Sequence, residues 1–169
     1  MNKIILTLAG LFAPQIVMAA PLPEHSDLLA TNTVVAVYEK TVDRPCRHLT
    51  SLCPDRCNHA KKLATFRVVV NENYEHPGQY GDDKSEPGSV VYVDMLHDEP
   101  GQDESVRKLI SELKPGDAVR IRIDHYYVNG DSCKYPVRPV TLIERVEKPA
   151  NIPPAKDKEP IMDIMPLAR

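Results

Sequence analysis

Clear helical period occurs at one place in this chain. From Asp103 to Leu113, the residues Val106, Leu109, Ile110 and Leu113 recur at spacings of three and four, the stripe of an amphipathic helix. Asp103 is placed to cap its first turn, and Pro115-Gly116 ends it. The other apolar stretches are short, rich in Val, Ile, Thr and Tyr, and bounded by Pro, Gly and acidic turns, which is strand chemistry. One helix among strands means a mainly β domain. The helix's place in the order limits the choices further.

Thr31 to Val42 reads as a first strand, carrying Thr33, Val34, Val35, Val37 and Tyr38 with no Gly or Pro between them. Leu63 to Val70 is a second, with Ala64, Phe66, Val68 and Val70 expected on one face and Thr65, Arg67 and Val69 on the other. Asn71 to Ser89, with its Pro, Gly and charges, is a long connection. Val90 to Met95 is a short third strand, and the helix follows. The turn Lys114-Pro-Gly-Asp117 feeds a fourth strand, Asp117 to Val128, where Val119, Ile121 and Ile123 alternate with Arg120, Arg122 and Asp124. That alternation gives one buried and one wet face. Asn129-Gly130 is a hairpin turn, and Val137 to Val146 a fifth strand in which Pro139 marks an edge or bulge. Residues 21–30 read as a lead-in and 147–169 as a Pro-rich tail, in which Ile161 to Met165 can dock on a groove.

Strand, strand, strand, helix, strand, strand resembles the OB-fold, a five-stranded Greek-key barrel with one helix between strands 3 and 4. The resemblance spans residues 31–146 and lies in the element order; Lys114 to Val119 is similar to a turn that such barrels often carry. It implies that the loops joining strands 1–2 and 4–5 flank a binding face. Here those loops are 43–62 and 129–136.

Residues 1–20 have the pattern of a signal peptide: Lys3, an apolar run from Ile4 to Val17, then Met18-Ala19-Ala20, with cleavage expected after Ala19 or Ala20. The expected address is the periplasm or the medium, with no transmembrane segment in the mature chain. Without Lys3, 20 basic residues face 24 acidic ones, a net charge of −4, and no nucleic-acid partner is expected.

Three of the four cysteines, Cys46, Cys53 and Cys57, fall in the first expected loop, and Cys133 falls in the second. In an oxidising compartment they read as two disulfides, one of them through Cys133, with the pairing left open. An alternative is a zinc or copper site built from Cys46, His48, Cys53, Cys57 and His59. Another is thiol-redox chemistry at Cys53, which would stand at the start of a short helix over Cys53 to Lys62, though the spacing is C-x3-C.

No hydrolytic motif, phosphate loop or calcium loop is present. Asp82-Asp83 and Asp98-Glu99 read as solvated turn residues. A hydrolytic alternative would use Arg67, Arg120 and Arg122 with Asp94 and Asp124. The preferred reading is a non-enzymatic, disulfide-stabilised binding protein without a cofactor, its ligand on the face flanked by the two loops. Arg67, Arg120, Arg122, Tyr126 and Tyr135 are the candidates for binding it. Tyr74 and Tyr80 stand in the long connection; by alternation Tyr127, and Tyr126 with it, read equally as core residues or as stacking residues. The partner classes that fit are a protein, a glycan or an anionic small molecule.

Overall fold

A computed structural model describes residues 21–45, 60–80, 84–97, 99–130 and 133–156. The expected signal segment, residues 53–59 of the expected short helix, Cys46, His48, Cys53, Cys57, His59, Asp82-Asp83, Asp98 and Ile161 to Met165 lie outside them.

The elements are β1 (Ser26–Arg44), β2 (Lys61–Glu75), β3 (Val90–Asp94), α1 (Glu104–Ser111), β4 (Ala118–Asn129), β5 (Lys134–Val137) and β6 (Val140–Arg145). One antiparallel sheet has the order β3-β2-β1-β4, with β5 and β6 both paired to β4. The sheet is mainly antiparallel β, curled and open, a half-barrel with β3 at one edge and β5–β6 at the other.

β1 is the central strand. Residues 31–37 pair with β2 on one side and β4 on the other. Val34, Ala36, Ala64, Phe66, Val68, Val91, Val93, Val119 and Ile121 fill the concave side together with Val106, Ile110 and Leu113 from the helix segment. Val35 and Val37 are buried too, on the convex side. In register, Val35 lies between Val70 and Arg120, and Val37 opposite Arg67, so the stems of long cations cover them.

The helix is capped as the sequence implies: the Ser105 N–H donates to the Asp103 carboxylate at 2.7 Å. Gly116 takes a positive φ of 95°, a region that favours glycine, and its N–H donates to the Tyr38 carbonyl at 2.8 Å. Tyr38 N–H returns a bond to the Asp117 carbonyl at 2.9 Å. The turn after the helix is therefore fastened to the middle of β1, and α1 closes one end of the curled sheet.

Four sequence expectations change. β1 begins at Ser26 and takes in half of the expected lead-in, because the far end of β4 needs a partner: Ser26 pairs with Val128. Lys61 and Lys62 open β2, opposite Arg44 and Asp43, instead of ending a short helix. Val70 is 44% exposed although Ala64, Phe66 and Val68 are fully buried. The pairing of β1 with β2 shifts between Thr33 and Val34 and again between Val35 and Ala36, and a bulge breaks strict alternation. Finally, the fifth strand is two, because buried Pro139 has no N–H to continue the ladder, while its carbonyl accepts from Asp124 N–H at 3.2 Å.

The start of the tail follows the β2–β3 connection. Lys156 N–H donates to the Gly88 carbonyl at 2.9 Å, and the Lys156 ammonium pairs with Glu86 at 2.8 Å. No helix among the described residues is long and apolar enough to cross a membrane.

Candidate functional site

The arginines singled out from the sequence stand on the convex side and are engaged with carboxylates. Arg120 donates to both oxygens of Glu72, at 2.7 and 3.1 Å, and to Glu144 at 2.5 Å. This bond to Arg120 holds the Glu72 carboxyl below its ordinary pKa, and the two carboxylates hold the guanidinium protonated. Arg122 donates to Asp124 at 3.1 Å, and that carboxylate also accepts from Thr31 at 2.8 Å and Thr141 at 2.9 Å. Arg67 is paired with Glu39 and reaches the Pro153 carbonyl at 3.4 Å. The convex face of β4 is thus a lattice of matched charges.

The tyrosines divide. Tyr126 and Tyr127 are half-buried, and burial pushes the Tyr126 hydroxyl's pKa up, with the nearby Asp124 charge adding to it. Tyr135 is 39% exposed on β5, and Tyr80 is the most exposed at 75%. Cys133 is exposed just before β5 and forms no disulfide among the described residues; the other three cysteines lie outside them.

A different group of residues meets at the open edge. A cleft of about 280 Å³ lies between β3 and the β5–β6 edge, near the small end of the range for small-molecule sites. Arg44, at the end of β1, and Lys61, at the start of β2, stand at the two roots of the first long loop. Pro136 and Arg138 come from the segment just after the second loop. Leu63, Val93 and Val140 supply apolar wall, and Tyr92 an exposed ring over which the Arg44 guanidinium lies, 5.6 Å from the centroid.

Asp94 forms the carboxylate wall of the cleft. Its Oδ2 accepts from Lys61 Nζ at 3.1 Å and contacts His97 Nδ1 at 3.0 Å, and its Oδ1 accepts from Leu96 N–H at 2.9 Å. Burial opposes its ionisation, but these bonds outweigh burial and hold its pKa below the ordinary value. Glu99 adds a second carboxylate. Gln102, 7% exposed, lines the cleft just ahead of the helix cap; its backbone N–H donates to the Glu99 carbonyl at 2.9 Å. Its side-chain Nε2 is buried without a hydrogen-bond partner among the described residues. A buried donor left unmade costs about 1–3 kcal/mol, so such a group calls for an acceptor.

The sequence did not single out the residues of this cleft. Arg44, Lys61 and Arg138 fall within or next to the two loops expected to flank a binding face. Tyr92 and Gln102 carry no sequence signal, since one reads as an ordinary strand residue and the other as loop. No protein-family profile, curated protein or solved structure matches the chain.

Proposed function

We propose that this is an exported, non-enzymatic binding protein that holds an anionic small molecule, or the acidic group of a larger one, in the open-edge cleft. The single observation that carries this reading is the buried, unsatisfied Gln102 amide in a cleft lined by three cations, Arg44, Lys61 and Arg138, against two carboxylates. A cleft lined by cations favours an acceptor-rich, negatively charged ligand. The curled antiparallel sheet with its open edge is compatible with an OB-like half-barrel, and in this reading the cleft takes the part that the loops 1–2 and 4–5 play in such a fold.

The convex arginines are the less favourable location. A ligand there would have to displace Glu72 and Glu144 from Arg120, carboxylates already bonded at hydrogen-bond distance. In this reading the signal segment is removed after Ala19 or Ala20, and the four cysteines form two disulfides. Cys133 precedes Pro136 by three residues and Cys46 follows Arg44 by two, and each residue spans at most about 3.6 Å.

Titration with small organic acids (acetate, succinate and glucuronate) at low ionic strength tests the site. Arg44→Ala with Arg138→Ala should weaken binding of the best of them at least about tenfold, the loss of a charge-assisted contact. Arg120→Ala with Arg122→Ala should leave it within about twofold. The opposite pattern, or no binding of any acid, contradicts the proposal.

A further inference from the structure

Resting on that reading, we propose that the ligand is an acidic sugar unit: one ring that carries hydroxyl or acylamino groups and a carboxylate. Three features of the cleft set this apart from a site for a bare anion. Gln102, which lines the cleft, carries a neutral donor, Nε2, that is buried with no partner among the described residues. Drawing a full negative charge out of water against a single amide costs more than the bond returns, so the group suited to that position is a neutral acceptor, a hydroxyl or an amide carbonyl.

The walls make the same distinction. Asp94 and Glu99 line the cleft, and a bare anion placed between them is repelled. Hydroxyl groups are not, because they donate to carboxylates while accepting from the amide. The Asp94 oxygens already accept from Leu96, His97 and Lys61, which leaves Glu99 as the acceptor better suited to a ligand hydroxyl. The cations lie further out: the Lys61 side chain is 47% exposed, Arg138 is exposed and Arg44 half-buried. A carboxylate reaching them keeps part of its hydration and gains forked guanidinium bonds.

The ring fits the remaining surface. Tyr92 is 38% exposed in the cleft wall; with the Arg44 guanidinium over one face of its ring, it offers its exposed edge to the C–H surface of a sugar. The volume, about 280 Å³, suits one ring rather than an extended chain. Neutral acceptor inward, hydroxyls toward Glu99 and carboxylate outward is the order of groups around a hexuronic acid.

The test is calorimetric titration of the full mature chain with D-glucuronate and D-galacturonate, set against glucose, galactose and acetate at matched ionic strength. At least one uronate should bind about tenfold or more tightly than both its neutral sugar and acetate. Gln102→Glu keeps the shape of the floor but removes its donor, and should lower uronate affinity about tenfold or more while leaving the melting temperature close to that of the parent. Gln102→Leu repeats the test should the added charge itself unfold the chain. Acetate binding as well as a uronate, with Arg44→Ala weakening both, would overturn the sugar and leave the anion cleft standing. Absence of binding by every acid would remove both.

Discussion

Arginines stand on the convex face of β4 and also at the open edge of the sheet, and the two places use them differently. On the convex face Arg120 meets Glu72 and Glu144, and Arg122 meets an Asp124 carboxylate that two threonines also satisfy. Those charges complete one another, and the stem of Arg120 lies in register beside Val35. At the edge, three cations stand over two carboxylates, and a buried amide lacks its acceptor. The convex arginines are bonded to carboxylates, whereas Arg44, Lys61 and Arg138 line a cleft that also holds the buried Gln102 amide. Composition alone shows neither, because the same residue type serves both.

That contrast can be broken in several ways. The largest effect is expected at Asp94, which holds the cleft wall together. Asp94→Ala removes the acceptor for the Leu96 N–H, His97 and Lys61, and should cost about 1–3 kcal/mol of stability together with ligand binding. Chemical denaturation checks the first and titration the second; a variant as stable as the parent would show that the carboxylate is not structural.

The same group sets an acid limit. Its carboxyl is held below the ordinary 3.8, so the stability it provides is present above that value and lost as pH falls through the lower, folded-state pKa. Melting temperature measured from pH 6 to pH 2 should therefore fall less steeply in Asp94→Asn than in the parent. Equal slopes would assign the acid loss to other carboxylates, such as Asp117, which its bonds from Lys114 and Arg145 also hold low.

A moderate effect separates the two regions by salt. Raising sodium chloride from low ionic strength to about 0.5 M should weaken ligand binding several-fold, because the rim cations are wet and screened. Stability should change little, since the convex pairs lie on the surface. The smallest effect converts one region toward the other. Glu72→Gln with Glu144→Gln strips the partners from Arg120, and a second, weaker anion site should then be detectable on the convex face. If none forms, unmatched charge alone does not make a site in this protein.

The sequence was most informative where a single rule governs a stretch. Val119, Ile121 and Ile123 alternate with charged residues, and β4 is where that alternation places it; Asp103 caps the helix and Gly116 turns it, as their chemistry requires. It was least informative where partners decide. Ser26 to Ala30 has little strand propensity and becomes strand because β4 extends beside it. Val70 matches its neighbours in type, yet bulges in the β1–β2 ladder leave it exposed. Pro139 signalled an irregularity, though not that it would divide one strand into β5 and β6. The cleft was hidden for a related reason: its residues come from β1, β2, β3, the helix approach and the β5–β6 edge, and no local pattern links Arg44 to Gln102.

Export carries a separate, simpler check. The mass of the protein recovered outside the cytoplasm should correspond to a chain starting at Ala20 or Pro21 and lighter by four hydrogens than the reduced form. A free-thiol chain with a bound metal would instead favour the Cys46, His48, Cys53, Cys57 and His59 alternative.

The most direct measurement is a nitrogen–proton correlation spectrum of the labelled protein recorded as glucuronate is added. Binding in the cleft should move the Gln102 side-chain amide signals first, with the backbone amides of Arg44, Lys61, Tyr92 and Arg138, and leave those of Glu72, Arg120 and Glu144 in place. Movement confined to Glu72, Arg120 and Glu144, with Gln102 unmoved, would put the ligand on the convex face and contradict the account.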